Sequence, residues 1–172
     1  MMTFSKMMLA GAALASIAFA AGEADAQSRS RVSVEQSGYG NMVEGRFDGW
    51  RNRARIAQRG DQNAAAARQD GYRNRLDIRQ QGYDNWQDVL QAGLANRALT
   101  RQFGDNLTGS VYQSGNGNLV GVAQVGEGHT ANTVQEGNGN ILGVLQIGSG
   151  QHTTYHQIGD GNADIVVQFG WD

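Results

Sequence analysis

Few side chains in this sequence have the types and spacing that catalysis or metal binding requires. The chain has 3 histidines and 0 cysteines. His152 and His156 face the same way on one predicted strand, but four residues of extended chain hold them about 13 Å apart, too far to share one metal ion. His129 stands where a repeated asparagine is expected, which predicts a structural role. We therefore predict no enzyme activity, no metal site and no cofactor.

The glycines do not form a nucleotide or calcium motif. Gly159-Asp160-Gly161 is only a fragment of the glycine-rich nonapeptide of calcium-binding β-rolls. No Lys-Ser or Lys-Thr follows a glycine run, which excludes a phosphate-binding loop. Arginines beside aromatic turn residues could suit nucleic acid or acidic glycans, but aromatic stacking between equivalent turns of the repeat explains the same residues and is favoured, so no specific nucleic-acid binding is predicted. The aromatic residues are Tyr39, Trp50, Tyr72, Tyr83 and Trp86.

The first 26 residues have the features of a secretory signal. Lys6 gives a short basic start, residues 7–21 are apolar and too short to span a bilayer, and Ala24-Asp25-Ala26 is a small-x-small cleavage site. We predict cleavage after Ala26, with residues 18–20 as the weaker alternative. No other apolar run is long enough for a membrane-spanning helix, so no stable membrane insertion is predicted. The expected divisions are a signal peptide at 1–26, an N-terminal segment at 27–35 and a repeat region at 36–172.

From Gln36 onward the same residues return every 11 positions. Glutamine fills all of these positions except Phe47: Gln36, Gln58, Gln69, Gln80, Gln91, Gln102, Gln113, Gln124, Gln135, Gln146, Gln157 and Gln168. A predicted turn glycine follows two residues later at every step: Gly38, Gly49, Gly60, Gly71, Gly82, Gly93, Gly104, Gly115, Gly126, Gly137, Gly148, Gly159 and Gly170. Asparagine follows five residues after the glutamine position at nine steps: Asn41, Asn52, Asn63, Asn74, Asn85, Asn96, Asn118, Asn140 and Asn162. The three exceptions, Leu107, His129 and Gln151, fall on every second step, so the full unit spans 22 positions in two unequal halves.

A fixed 22-residue period with glycine in register predicts an all-β solenoid. The six residues from each asparagine to the next glutamine are predicted to form a strand, with Asn118, Val120, Val122 and Gln124 on one face. Two strands form one coil, and about six coils stack to roughly 30 Å at the strand spacing of about 4.8 Å. Stacking places identical amides in ladders, where each side chain donates to one neighbour and accepts from the other. Disordered low-complexity sequence, the disfavoured alternative, would not keep glycine in register.

Four segments carry the full pattern Gln-x-Gly-x-Gly-Asn: residues 36–41, 113–118, 135–140 and 157–162. Together with the secretory leader and the 22-residue units, this pattern resembles the curlin family, the subunits of curli, which are extracellular amyloid fibres of Gram-negative bacteria. Asn-x-Ala, another feature of the family, occurs at 52–54, 63–65 and 96–98. The serine that often begins a unit in the family is present here only as Ser30.

The resemblance implies export through the dedicated outer-membrane curli secretion pore, in an unfolded state, and nucleated self-assembly outside the cell. It implies head-to-tail contacts with identical chains and with a partner curlin subunit, and roles in biofilm matrix and surface adhesion. The main fibre subunit and the minor nucleating subunit both fit the resemblance. A monomeric β-solenoid adhesin that binds glycans through its aromatic turns is the alternative from a different class.

Charge is divided along the chain. All thirteen arginines lie between residues 29 and 101, whereas residues 102–172 carry six acidic residues and neither lysine nor arginine. This division predicts that a basic first coil meets an acidic last coil in a head-to-tail fibre, with simple solvation of the charges as the alternative. Uncharged segments such as 118–125 and 140–147 predict that the C-terminal half is the more prone to form amyloid.

Overall fold

The computed structural model describes residues 3–10, 16–21 and 30–171, with side chains described from Ser30 onward. The predicted cleavage site at Ala24-Asp25-Ala26 lies outside the described residues. Fifteen β-strands and no helix are found in the part of the chain that the structure describes. No described segment is therefore a helix long and apolar enough to cross a membrane.

The strands are numbered in chain order, and from β3 onward short turns join them. They are β1 (Thr3–Ala10), β2 (Ser16–Ala21), β3 (Arg31–Ser37), β4 (Met42–Phe47), β5 (Arg53–Asp61), β6 (Ala64–Tyr72), β7 (Arg75–Tyr83), β8 (Trp86–Leu94), β9 (Arg97–Asp105), β10 (Thr108–Asn116), β11 (Leu119–Glu127), β12 (Thr130–Asn138), β13 (Ile141–Ser149), β14 (His152–Ile158) and β15 (Ala163–Gly170). The odd-numbered strands form one eight-stranded sheet, here the odd sheet, and the even-numbered strands form a seven-stranded even sheet. The chain thus alternates between two sheets at every turn.

All strand pairs are parallel, and from β3 onward each residue pairs with its equivalent in the next repeat unit. Val120 pairs with Leu142 and Gln124 with Gln146 in the odd sheet, and Gln113 pairs with Gln135 in the even sheet. One coil therefore contains two strands and one full repeat unit. The predicted β-solenoid is confirmed, with six coils from β3 to β14 and β15 beyond them.

The strands are longer than predicted. Most have nine residues and continue through the Gln-x-Gly tripeptide, as Leu119–Glu127 does, whereas the predicted strands ended at the glutamine. Gly126 has a φ of 130° and still pairs with Gly148 in the ladder. Because glycine adopts this backbone conformation without steric cost, the chain can begin to turn before the inter-strand hydrogen bonds end.

The interior is a thin layer of apolar side chains bounded by amides. From β3 to β13, buried residues alternate with more exposed ones along the strand, as in β11. Val120, Val122 and Leu142 are at most 2% exposed, and the flanking Asn118 and Gln124 are equally buried. A shift of any coil by one residue would move its two apolar side chains to the outside. Burial of these side chains therefore stabilises the observed register.

A second residue with positive φ lies in most turns, four positions after the glutamine. It is glycine in the first turn and in the C-terminal turns: Gly40, Gly117, Gly128, Gly139, Gly150 and Gly161. Between residues 51 and 106 other residues take this conformation with φ of 51 to 60°: Arg51, Gln62, Arg73, Asp84, Ala95 and Asn106. Asparagine and aspartate tolerate the left-handed region, but alanine gains nothing there to offset the strain.

Replacing Ala95 by glycine is expected to stabilise the protein by about 0.5–1 kcal/mol. The left-handed conformation costs an ordinary residue about 1–2 kcal/mol, and the loss of backbone entropy offsets part of that gain. Thermal unfolding of the soluble protein measures the effect. Ala64→Gly is the control, because Ala64 lies in a regular strand and glycine should destabilise it. A lower melting temperature for Ala95→Gly than for the unaltered protein would contradict the expectation.

Candidate functional site: amide ladders and outer faces

Seven glutamines of the odd sheet form one continuous ladder along the stack. Each Nε2 donates to the Oε1 of the glutamine one coil further, over 2.7–2.9 Å. The members are Gln36, Gln58, Gln80, Gln102, Gln124, Gln146 and Gln168. Most also donate to a backbone carbonyl across the coil, as Gln58 does to Met42 at 3.0 Å. The ladder therefore links neighbouring coils and closes each coil on itself.

The glutamine ladder of the even sheet is shorter. Gln69, Gln91, Gln113, Gln135 and Gln157 are joined in the same way over 2.6–2.9 Å. The position before them is Phe47, which is 5% exposed and packs in the core. Since phenylalanine cannot donate, the Oε1 of Gln69 is buried without a hydrogen-bond partner among the described residues.

Asparagines lie at the other end of most strands from β4 onward. In the ladder of Asn52, Asn74, Asn96, Asn118, Asn140 and Asn162, each Oδ1 accepts the backbone N–H of the next member. For the first five, Nδ2 donates to the carbonyl of a glycine in the turn of the next coil. Ser30 begins the ladder, because its Oγ accepts from the N–H of Asn52 at 3.1 Å. These amides hold the turns to the next coil.

The second asparagine ladder changes residue type halfway. Asn41, Asn63 and Asn85 are followed by Leu107, His129 and Gln151, all at the same position of the coil. His129 is fully buried. Its Nδ1 accepts the N–H of Gln151 at 3.1 Å, and its Nε2 lies 3.1 Å from the carbonyl of Val125. These two contacts together require a neutral imidazole that is protonated at Nε2.

The glycines after the glutamines form a column in which backbone lies on backbone. At eleven of them, from Gly38 to Gly148, a methyl group would overlap the carbonyl oxygen of the glycine one coil further. At Gly159 the nearest neighbour is Asn162, at an ordinary contact distance, and at Gly170 it is Gln151. These positions therefore require glycine for two reasons: the close approach of the backbones of neighbouring coils, and the positive φ.

The outer face of the odd sheet is divided into a basic and an apolar half. Strands β3 to β9 place eight arginines on it: Arg31, Arg53, Arg55, Arg59, Arg75, Arg79, Arg97 and Arg101. Before their turn glycines, β11, β13 and β15 place only uncharged residues on this face: Leu119, Gly121, Ala123, Val125, Ile141, Gly143, Leu145, Ile147, Ala163, Ile165, Val167 and Phe169. In the same coils the even sheet presents hydroxyl, amide and imidazole groups such as Thr108, Asn132 and His152.

The aromatic turn residues do not form one surface. Trp50 and Tyr72 are in contact, with ring centroids 6.1 Å apart. Arg51 lies over the Trp50 ring at 5.2 Å, and Arg73 lies over the Tyr72 ring at 4.8 Å. Tyr39, Tyr83 and Trp86 lie elsewhere, with Trp86 on the outer face of the even sheet. The cation–π contacts reduce repulsion between the stacked arginines of this turn.

The histidines and carboxylates of residues 30 to 171 form no metal-binding group. His152 and His156 are both exposed on β14. No group of three or more His, Cys, Asp or Glu side chains in this range is arranged to hold a metal ion. Burial raises the pKa of Asp88 above its usual value, partly offset by a hydrogen bond from the backbone of Val89.

Two interior features were not identified from the sequence. Gln87 is fully buried at a position that holds Val43, Ala65 and Ala131 in other coils, and a methyl group on Gly109 would overlap its Oε1. The sequence does contain a signal for this feature. Gly109 stands 22 residues after Gln87, and its missing side chain leaves space for the glutamine. Asp164 occupies an interior position that is apolar in the six preceding coils: Val32, Ala54, Leu76, Ala98, Val120 and Leu142.

Comparison with known proteins identifies a repeat family that is similar to parts of this chain. Residues 49–82 and 104–137 both match the curlin associated repeat. No curated protein and no solved structure matches the chain. The residues between the two matched segments continue the same coil, since Gln91 and Gln102 belong to the same two ladders as the matched glutamines. Two segments of the chain are therefore similar to the curlin associated repeat, and the coil that they form continues between them.

Proposed function

We propose that this protein is a secreted structural subunit that stacks head to tail into extracellular curli-type fibres. The proposal rests mainly on the two ends of the odd-sheet glutamine ladder, because in the described part of the chain one end has an unpaired acceptor and the other has a donor available. At one end the Oε1 of Gln36 is buried without a hydrogen-bond partner among the described residues. At the other end the Nε2 of Gln168 donates only to the carbonyl of His152, at 3.2 Å. A second chain stacked in register would join this donor to that acceptor.

The edges of the sheets support the same arrangement. No described strand pairs with the outer edge of β14 or β15. At the opposite end β1 and β2 cover the edges of β3 and β4, and both belong to the predicted signal peptide at 1–26. Removal of this peptide would free an edge that is complementary to β15, and an unpaired edge templates the next parallel strand.

Export through the outer-membrane curli secretion pore, assembly with a partner curlin subunit, and a role in the biofilm matrix and adhesion of a Gram-negative bacterium belong to the same proposal. The curlin repeats support these roles, and the self-complementary coil supports the assembly step. An enzyme function has no support, because the repeat is structural and the ladders bury their polar groups.

Self-seeding tests the proposal directly. Purified protein without residues 1–26 is incubated alone and with its own sonicated fibres, and growth is followed by thioflavin fluorescence and fibre diffraction. We expect seeded growth and a meridional reflection at about 4.7–4.8 Å. A folded β-protein that stays monomeric with and without seeds would contradict the proposal and favour a solenoid adhesin. Growth only on fibres of another curlin subunit would identify the partner as the template.

Growth at the β15 end is expected to speed up as pH falls. In the free chain, hydrogen bonds from Gln157 and Tyr155 hold the pKa of Asp164 below its usual value, so the carboxylate is charged at neutral pH. Covering it with another coil would disfavour the charged form and raise its pKa. The charge therefore opposes stacking above the raised pKa, and protonation relieves this opposition as pH falls.

Asp164→Asn isolates this effect, because it is isosteric and neutral. We expect seeded elongation at pH 7 to rise by about tenfold, which corresponds to one unit of pKa shift, and the pH dependence to flatten. Asp160→Asn is the matched control, since Asp160 is an exposed turn residue. Equal effects of the two substitutions would show that net charge, and not the interior position, sets the rate.

A further inference from the structure

Four arginines of the basic half lie in one straight column along the solenoid axis. Arg31 pairs with Arg53, Arg53 with Arg75, and Arg75 with Arg97 in consecutive parallel strands. Each side chain points outward and is exposed. Four strands at a spacing of about 4.8 Å give a line of positive charge about 14 Å long. We call Arg31, Arg53, Arg75 and Arg97 the arginine track.

The arginines of the track have no counter-charge among residues 30–171. The carboxylates on this face are already engaged by other arginines, Glu35 by Arg55 at 3.5 Å and Asp77 by Arg101 at 3.1 Å. No track arginine forms an ion pair with a carboxylate of residues 30–171. Like charges directly opposite one another in a sheet destabilise it. Parallel in-register pairing thus creates a repulsion that an anion lying along the track would relieve.

The surroundings of the track give the anion a place to lie. A shallow cleft of about 210 Å³ runs beside the track and is lined by Arg31, Arg53 and Arg75 together with Ser33, Arg55 and Asp77. The same column continues beyond Arg97 as Leu119, Ile141 and Ala163. The basic line therefore has a defined end, and its length selects ligands that carry several charges in a row.

We propose that the arginine track binds an acidic polysaccharide built from uronic acids, lying parallel to the solenoid axis. A uronan chain carries one carboxylate on each sugar ring, so its charges recur at a distance close to the strand spacing. Each carboxylate can then meet one guanidinium, the charge-assisted pairing for which arginine is best suited. Phosphates of a B-DNA strand recur about every 3.4 Å along the axis and lose register with the track after one or two steps.

Binding of alginate oligosaccharides to the purified soluble protein tests the proposal, with an uncharged glucan oligosaccharide and a DNA duplex as comparison ligands. The track variant carries Arg31→Gln, Arg53→Gln, Arg75→Gln and Arg97→Gln. The control variant carries Arg46→Gln, Arg51→Gln, Arg68→Gln and Arg73→Gln, which removes the same four charges from the turn and from the even sheet. We expect the track variant to bind alginate at least about tenfold more weakly, and the control variant to lose less than about threefold.

The salt dependence and single substitutions give independent readouts. Affinity of the unaltered protein for alginate should fall linearly on logarithmic axes as salt rises, and the track variant should show a smaller slope because fewer ions are released on binding. If the fourfold track variant does not fold, Arg53→Gln and Arg75→Gln measured against Arg46→Gln and Arg68→Gln serve the same purpose. Equal losses in both variant sets would overturn the proposal. So would equal binding of the uncharged glucan, or tighter binding of the duplex through the same four arginines.

The proposal does not depend on fibre formation, because the track is complete within one chain. Failure of self-seeding would leave the alginate measurement unchanged, and failure of alginate binding would leave the stacking proposal unchanged.

Discussion

Gly104→Ala is expected to unfold the central coils, with a loss of stability of about 3–5 kcal/mol. Gly104 has a φ of 135°, and a methyl group there would overlap the carbonyl oxygen of Gly126 in the next coil. The overlap is with backbone, so no side-chain rotation can relieve it. Moving the coils apart would break the hydrogen bonds between β9 and β11. The urea midpoint of the soluble protein, followed by circular dichroism, measures the loss.

Gly121→Ala is the matched control, because Gly121 lies on the next strand of the same sheet but faces outward. Nothing lies within 4 Å of a methyl group added at Gly121. Its substitution should change stability by no more than about 0.5 kcal/mol, as is usual for surface positions. A small effect of Gly104→Ala, equal to that of Gly121→Ala, would show that the glycine column can open without cost.

Gln102→Leu should destabilise the protein by about 2–4 kcal/mol, although leucine fits the volume and is more apolar. Gln102 accepts a hydrogen bond from Gln80 at 2.9 Å and donates to Gln124 at 2.9 Å. Its Nε2 also donates to the carbonyls of Trp86 and Leu107. Leucine would leave the Oε1 of Gln124 buried without a donor, and each such orphaned group costs about 1–3 kcal/mol.

The control for this change is Gln81→Leu, since Gln81 lies on the exposed face of β7. Its stability should be almost unaltered, or slightly raised by contact with Phe103, its partner in register. Hydrogen exchange adds a spatial readout, because the loss at Gln102 should be greatest in the coils that contain Gln80 and Gln124. If Gln102→Leu were as stable as the original protein, hydrophobic packing would outweigh the ladder in this interior.

The sequence predicted the coil correctly because its period carries both register and side-chain direction. Equivalent residues of successive units are in contact, and alternate residues face inward. These two conditions together determine where Asn118, Val120 and Gln124 lie in the coil. Strand length was wrong because the glycine of Gln-x-Gly was taken as the turn, whereas the ladder continues through Gly126. The error arises because glycine can adopt either a turn or a strand conformation, and the residue pattern does not specify which one it takes.

The buried exceptions and the divided outer face required the structure. Gln87 fits only because Gly109 provides space in the next coil, and the neutral form of His129 depends on the two contacts of its ring. The separation of arginines from apolar residues is visible in the sequence as a change along the chain. Its confinement to the odd sheet depends on which strand each residue belongs to and which way its side chain faces. Arg53 and Leu119, for example, lie in one outward-facing column.

Among the described strands, pairing never reaches beyond the next coil, and that limit decides how the protein can fold. Every strand from β3 onward finds its partners one coil away, whatever the number of coils already formed. Each finished coil is a complete template for the one that follows, so structure can grow in the order in which a threaded chain emerges. Protection against unfolding should then be a gradient, highest in the middle coils and falling toward either end.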